Sequence, residues 1–371
     1  MAYPTLNTNA IYRTLFNQII SLQTFADNFS GGYSERKNLF REDGGLSGDT
    51  KVYISAEILG SEPWGADEEA ANLLNVDRPV DPKTQTIVCD QYRIIALTLG
   101  RYVEAKAFMN EGQLSEFNSV MSAMVGETKA AHEDGLVNTF VGTVSPTGAE
   151  VNTISVALSS EETVEAARLN GGKIAEAVDN LLIDLKDRTR KYNEYHFLRS
   201  HSPESIMIVW NAEYASKIKK IDFSTLPNAY AEGGLIKKFE QHVLPMRYFG
   251  TAIATGGTAL ASNSTIRSYV EKDYNTVKRS HASYDPSLHI FPGDLIPAGK
   301  TYLAGEAYTQ STDVICKVFS MKAVKYLSNF ETRSEFFNPR SRTTNQYLVW
   351  GFAKPALIKD AVCVTMKKVA A

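Results

Sequence analysis

The stretch that decides the fold begins at residues 86–99 with TIVCDQYRIIALTL and continues at residues 110–125 with NEGQLSEFNSVMSAMV. The first segment is rich in β-branched and aromatic residues and contains no proline, which predicts a strand. In the second, Asn110 is placed to accept from a free amide while Gln113 reaches back, which predicts a helix N-terminus. Apolar residues then recur at spacings of three and four, the pattern of one helical face: Leu114, Phe117, Val120, Met121, Met124 and Val125.

The predicted helix continues to Val141. About 30 residues at ~1.5 Å each give a rod of roughly 45 Å. Gly126 and Gly135 predict a kink or a break within it. A long strand pair attached to a long helix is a poor plan for an enzyme core and suits one tile of a shell.

The composition is that of an ordinary globular chain. Its 371 residues are 43% hydrophobic and 22% charged, so a substantial core is expected, in one large domain or two to three smaller ones. A net charge of −3 excludes a polycation that coats nucleic acid. Three distant cysteines without a CxxC pair favour a reducing compartment, and neither a secretory signal nor a bilayer-spanning apolar run is evident.

Residues 9–29 form a predicted amphipathic helix that includes Leu15 and Phe16. Two interpretations remain open: the helix packs on its own domain, or it reaches onto a neighbouring subunit. Glycine clusters at residues 31–32 and 44–48 bracket a segment predicted to be polar and flexible.

A projecting flap is predicted after the next strand, which spans residues 51–59. Residues 60–83 contain three prolines and join that strand to the 86–99 strand over more than twenty residues. A connection this long is not a tight hairpin, and its stability is expected to need a partner. Within it, Trp64 and Arg78 are candidates for contacts between subunits.

The second half predicts a layered α/β or α+β domain. A short helix at residues 160–169 is expected to end at Gly171 and Gly172, and a second helix to resume at residues 173–190. Residues 205–210, SIMIVW, predict a strand buried on both faces. The remaining elements are predicted as follows: a helix at 211–221, a strand region at 243–254, loops at 255–299, strands at 314–319, 324–337, 347–352 and 360–367, and a turn at 338–345.

No constellation of catalytic, cofactor or metal-binding residues is found. The chain has no GxxxxGK[ST], GxGxxG, HExxH or GxSxG motif, and Cys89 is best explained as core filler. A lysine cluster is typical of a solvated helix face, with a nucleic-acid-binding patch as the alternative: Lys217, Lys219, Lys220, Lys237 and Lys238. Candidates for contacts between subunits combine guanidinium groups, which bind carboxylates bidentately, with aromatic side chains: Arg333, Arg340, Arg342, Phe336 and Phe337.

In its order of elements the chain resembles the major capsid proteins of tailed double-stranded DNA bacteriophages, which have the Hong Kong 97-type fold. SIMIVWNAEYASKIKK at residues 205–220 is similar to the family's axial-domain strand and short helix. VWGFAKPALIKDAVCV at residues 349–364 is similar to its closing segment. The resemblance implies an α+β fold divided into an N-terminal arm (residues 1–50), an E-loop (51–99), a peripheral domain with a long spine helix (100–145 and 313–348) and an axial domain (146–312 and 349–371).

The resemblance also implies a structural function rather than an enzymatic one, without cofactor or metal. Copies would form the pentamers and hexamers of an icosahedral virion shell around double-stranded DNA, after synthesis in the host bacterial cytoplasm. Expected partners are a portal and scaffolding or decoration proteins, with no membrane and no sequence-specific DNA binding. Two alternatives remain: an encapsulin-type cellular compartment, and an α/β enzyme with an unrecognised site.

Overall fold

The computed structural model describes residues 34–44, 50–61, 78–99, 111–160, 163–219, 240–254, 265–271, 289–290 and 302–370. Its helices are α1 (Ser34–Phe40), α2 (Glu111–Thr143), α3 (Val164–Lys186) and α4 (Ala212–Lys219). Its strands are β1 (Arg41–Asp43), β2 (Thr50–Ser55), β3 (Lys83–Val88), β4 (Gln91–Leu99), β5 (Thr153–Leu158), β6 (Ile206–Asn211), β7 (Glu240–Leu244), β8 (Gly250–Ala254), β9 (Thr265–Glu271), β10 (His289–Ile290), β11 (Tyr302–Gln310), β12 (Val314–Ser320), β13 (Val324–Asn338), β14 (Thr343–Phe352), β15 (Ala356–Leu357) and β16 (Cys363–Ala370).

A central sheet with strand order β5-β16-β12-β6-β7 carries the main core. β6 and β12 are buried along their whole length, which confirms the prediction from SIMIVW. α3 packs on one face, where Val178 and Leu182 meet Val318. The C-terminal half of α2 packs on the other, where Val137 and Val141 join the cluster that contains Phe319. The central sheet is therefore covered on both sides by this chain itself.

A second sheet, here called the outer sheet, has the order β1-β13-β14-β4, with β15 also paired to β13. β13 and β14 form a long antiparallel hairpin, and β4 pairs antiparallel with β14 over all nine of its residues. The prediction of one strand over residues 86–99 is wrong. The chain leaves β3, which pairs with β2, and enters β4 in the outer sheet, and the switch occurs at Cys89 and Asp90. Cys89 is buried there, as predicted.

α2 confirms the predicted long helix and is unbroken at Gly126 and Gly135. Its apolar stripe at residues 114–121 lies outside the side chains that the structure describes. At the other end, the buried Lys317 of β12 donates to the carbonyl oxygen of Val144, immediately after the helix. A cation suits the negative end of a helix dipole. Burial lowers the pKa of Lys317 to about 8.

α3 corrects the predicted interruption at Gly171 and Gly172, because one helix spans residues 164–186. Thr163 caps it by accepting from the backbone N–H of Ala166 at 3.2 Å. Ile174, Val178 and the following leucines form one continuous buried face. Burying that face stabilises the helix by more than the roughly 1 kcal/mol that an internal glycine costs.

Three smaller expectations are also corrected. The segment predicted to be flexible contains α1, whose Phe40 is buried in the core between α2 and the outer sheet. Residues 255–299, predicted as loops, contain β9 and β10, which join β11 and β8 in a four-stranded sheet. The predicted turn at residues 338–345 is shorter, since β14 begins at Thr343. The sequence TIRSYVE in β9 carries the β-branched and aromatic residues that favour strands.

Candidate assembly surfaces

The two-stranded arm formed by β2 and β3 has one face against the body and one open face. Their register places Val52 opposite Thr86 and Ile54 opposite Thr84. Val52 is 53% exposed and Ile54 is 69% exposed. All members of the open face are β-branched and exposed: Thr50, Val52, Ile54, Thr84, Thr86 and Val88. Such side chains pack well on a pleated surface, so this face suits contact with another protein surface.

Glu42 of β1 fixes the inner face of the arm. Its carboxylate accepts from Lys51 Nζ at 2.5 Å and from the Tyr53 hydroxyl at 2.9 Å, and it also binds Lys325 Nζ of β13. Burial alone would raise the pKa of Glu42, but hydrogen bonds from these three groups lower it to about 2. The beginning of β2 is thereby joined to the outer sheet by charged groups.

Gln85 provides a second attachment on the same face. Its Nε2 donates to the Leu357 carbonyl at 2.8 Å, and its Oε1 accepts from the Lys359 backbone N–H at 2.9 Å. One side chain thus imitates the paired hydrogen bonds of a neighbouring strand. Ile87 is buried in a small cluster with Leu327 beside it.

The outer sheet also has an open face. Tyr92, Ile94 and Phe336 are 57%, 52% and 62% exposed. Val349 of β14 pairs with Ile94 of β4 on one side and with Thr332 of β13 on the other. The side chains of these three residues therefore lie on the same outward face of the sheet. On the opposite side, Leu348 and Trp350 are buried with the residues of α2. This surface was not singled out from the sequence. The available signal was that β4 is apolar at both odd and even positions, which predicts burial on both faces.

The hairpin of β13 and β14 carries the arginine and phenylalanine candidates, and all of them are exposed. Phe336 and Phe337 lie in β13 and not in a turn, so as consecutive strand residues they point to opposite faces. Arg340 and Arg342 lie at the tip, where Arg342 has a left-handed φ of 52°. Arg333, with 70% of its side chain exposed, lies 3.5 Å from Glu331.

Of the remaining contact candidates, Arg78 is exposed in the segment before β3. Leu15, Phe16 and Trp64 lie outside the described residues, as do the predicted N-terminal helix and most of the flap. Among the candidates that the structure describes, those on the hairpin of β13 and β14 lie in one element.

A buried ion network joins α1, α2 and β13 beneath the outer sheet. Glu133 of α2 lies 3.2 Å from Lys37 Nζ and accepts from the Tyr326 hydroxyl at 3.2 Å. Lys129, one turn earlier, lies 3.7 Å from Glu133 and 2.6 Å from Glu331. The sequence analysis missed this network. Its only local signal is the spacing of four between Lys129 and Glu133, which is common on helix surfaces.

The described side chains form no group of three His, Cys, Asp or Glu able to hold a metal ion. Burial raises the pKa of both Cys316 and Cys363, which disfavours the thiolate that a nucleophile requires. A cleft of about 270 Å³ between α2 and the hairpin is lined by Val125, Leu348, Tyr347 and polar neighbours. Within the ranges given above, no helix combines the length and apolar character needed to cross a bilayer.

The chain has the fold of phage capsid proteins. Over 89% of its length it matches a chain from the capsid of cyanophage P-SCSP1u, covering 86% of that chain with a TM-score of 0.51 and 11% identity. It matches a capsid chain of Staphylococcus phage Andhra with a TM-score of 0.51 and 12% identity, over 89% of this chain and 83% of that one.

A third match is a chain in the structure of the head fibre and inner core protein of native bacteriophage P68. The TM-score is 0.52 at 13% identity, over 88% of this chain and 82% of that chain. No family model matches the sequence, and no curated protein matches it. At this level of identity, the likeness establishes a shared mixed α/β fold.

Proposed function

We propose that this chain is the major capsid protein of a tailed bacteriophage, of the Hong Kong 97 type. Copies tile into an icosahedral shell of pentamers and hexamers that encloses the double-stranded DNA genome. The observation that carries the proposal is the capsid fold, matched over 89% of this chain and 83–86% of two phage capsid chains.

The division of the chain follows from this function. We assign residues 1–50 to an N-terminal arm, residues 51–99 to an E-loop, α2 to the spine of a peripheral domain, and the central sheet to an axial domain. β12 goes with the axial domain, because it pairs with β6 and β16. The peripheral domain then resumes at β13.

Assembly depends on contact area. The open faces of the arm and of the outer sheet expose apolar side chains such as Ile54, Ile94 and Phe336. Contiguous exposed apolar surface marks sites of protein–protein contact. A stable interface buries roughly 800 Å² per partner, and modest contacts repeated over many symmetric copies hold a closed shell.

Charged and aromatic groups on the hairpin of β13 and β14 would add to these contacts. Arg333, Arg340 and Arg342 are exposed and suited to pairing with carboxylates of a neighbouring copy, which fixes register more than it adds affinity. We assign the same contact role to Leu15, Phe16, Trp64, Arg78, Phe336 and Phe337. DNA is enclosed without sequence-specific contacts, and the chain has no catalytic role. A portal, together with scaffolding or decoration proteins, completes the particle, which assembles in the host cytoplasm.

The test is negative-stain microscopy and light scattering of the purified protein, alone and with phage lysate fractions as a source of scaffold. We expect pentamers, hexamers or closed shells, and nuclease-protected double-stranded DNA in particles taken from infected cells. Shells from infected cells that hold a protein cargo and no DNA would favour a cellular compartment. A chain that stays monomeric at high concentration in every buffer and with every fraction would overturn the proposal.

A further inference from the structure

The loop of residues 187–202, which joins α3 to β6, has the properties of a preformed binding element. Its backbone is irregular but internally bonded: Asn193 Nδ2 donates to the Phe197 carbonyl at 2.7 Å, and the Phe197 N–H donates to Asn193 Oδ1 at 2.8 Å. Thr189 and Arg199 exchange backbone hydrogen bonds at 2.9 and 3.0 Å. Inside this frame His196 has a left-handed φ of 55°. Long loops that hold a residue in a strained conformation are usually functional.

What the loop binds is the segment that follows β2 in the arm. Glu57 accepts from the Leu198 backbone N–H at 3.2 Å and from Arg190 Nη1 at 2.6 Å. Arg199 Nη2 donates to the Ala56 carbonyl at 2.7 Å. Although Glu57 lies on a projecting segment, only 9% of its side chain is exposed. Charge-assisted bonds of this kind are about twice as strong as neutral ones.

Other contacts of the body hold both arginines in place. Asp360 binds Arg199 through Nε at 3.1 Å and Nη2 at 2.9 Å, and the guanidinium lies 5.3 Å from the Phe197 ring centroid. Arg190 Nη1 also donates to the carbonyl of the strained His196 at 3.0 Å. The receiving groups therefore keep their positions without help from the arm, which lowers the entropic cost of seating Glu57.

We propose that residues 187–202 form a clamp that sets the direction of the arm, and that departure of Glu57 from this clamp is the step that lets the arm turn. Glu42 holds the beginning of β2 to the outer sheet, while the clamp holds the residue two positions beyond its end. Gln85 attaches the arm beside the Glu42 contact, since it pairs with Tyr53. With Glu57 released, the arm therefore pivots about the contacts of Glu42 and Gln85. The clamp itself is independent of shell assembly; its use during assembly rests on the proposed function.

The test is hydrogen–deuterium exchange on the full-length protein before assembly, comparing wild type with Glu57→Ala and Arg190→Ala. Loss of a charge-assisted hydrogen bond should speed exchange at residues 56–61 and 83–88 by about tenfold in Glu57→Ala. A smaller increase is expected in Arg190→Ala, which retains the Leu198 bond. Arg333→Ala is the matched control, because it removes an exposed arginine and its 3.5 Å ion pair with Glu331 on β13, outside the arm and outside residues 187–202.

Exchange rates in the arm equal to wild type in both variants, or an equal increase in the control, would overturn the clamp. If Glu57→Ala fails to fold, Arg190→Ala decides the matter alone, because its side chain is half exposed and not part of a core. Failure of the proposed function is read separately. If wild type never forms shells but Glu57→Ala exchanges faster than wild type, the clamp stands and the capsid role is rejected. If wild type forms normal shells but the variants exchange at the wild-type rate, the capsid role stands and the clamp is rejected.

Discussion

β12 and β4 are both apolar strands, yet the chain covers them differently. All seven residues of β12 are buried, since α3 lies on one side and α2 on the other. β4 is apolar on both sides as well, with Ile94 and Ile95 facing opposite ways, but Ile94 is half exposed. A strand that is apolar on two sides needs two covers, and the described residues of this chain supply one for β4. Under the proposed function, a neighbouring subunit supplies the second.

The largest expected effect comes from placing one charge on each strand. Val318→Asp buries an unpaired carboxylate between α3 and β12, at a cost of several kcal/mol, of the order of a whole domain's stability. This variant should be insoluble. Ile94→Asp adds the same charge to the open face and should change the free energy of unfolding by no more than about 0.5 kcal/mol. Solubility, thermal melts and microscopy of both variants check the comparison.

The informative result for Ile94→Asp is a folded subunit that fails to build regular shells. Ile183→Asp serves as the matched control, because it adds the same charge at an isoleucine of α3 that is 58% exposed and lies away from the outer sheet. Uniform shells from Ile94→Asp would show that the open face of β4 is not an interface.

The ion network on α2 gives the next largest effect. Glu133→Ala removes a shared partner of Lys37, Lys129 and the Tyr326 hydroxyl, while Lys37 keeps Asp134 at 3.7 Å and Lys129 keeps Glu331 at 2.6 Å. The loss of hydrogen bonds to a charged group should cost about 3 kcal/mol. Tyr326→Phe removes one hydrogen bond of the same carboxylate and should cost about 1 kcal/mol. Urea unfolding of the two variants measures both. Equal costs would mean that the ion pairs add nothing beyond that hydrogen bond.

Simple periodicity of apolar residues predicted two of the elements correctly. SIMIVW identified a strand buried on both faces, and the stripe after Asn110 identified the long helix. The sequence-based prediction failed where contacts between distant parts of the chain decide the ends of an element. Nothing local separates β3 from β4 at Cys89, because the break arises from pairing with β2 on one side and with β14 on the other. Gly171 did not end α3, because the buried face continues past it.

The candidate surfaces were predictable only in part. Arg340 and Arg342 are exposed at a hairpin tip, and composition alone pointed to them. The open face of the arm was not predicted, since the sequence KVYIS does not show which alternate set turns inward. That choice is made by Glu42, which binds Lys51 and Tyr53 and so turns Val52 and Ile54 outward.

The two faces of the arm allow the same comparison of a covered and an open surface, with smaller expected changes in the free energy of unfolding. Ile87→Ala, on the inner face, empties a buried site and should lower the free energy of unfolding by about 2–3 kcal/mol. Ile54→Ala, on the open face, should leave it within about 0.5 kcal/mol of wild type and reduce the yield of shells. Thermal melts beside assembly assays separate the two. A destabilised Ile54→Ala would mean that this face is already covered within the subunit.

The smallest expected effect concerns the charged attachment of the arm and depends on pH. The pKa of Glu42 is lowered from 4.5 to about 2 in the folded chain, so its contribution to stability is complete above pH 4.5 and is lost as the pH falls toward 2. The difference in unfolding free energy between wild type and Glu42→Gln should therefore be constant from pH 7 to about 5 and shrink in more acid solution. Tyr53→Phe removes the hydroxyl but keeps Lys51 and Lys325 as partners of Glu42. Over the same pH window, the unfolding free energy of Tyr53→Phe should therefore exceed that of Glu42→Gln by less than the wild-type value does. Denaturant titrations at closely spaced pH values measure these differences. A difference that persists unchanged down to pH 2 would mean that the arm is held by packing around Ile87 and not by the carboxylate. The arm, like the central sheet, would then be held by buried apolar side chains and not by charged hydrogen bonds.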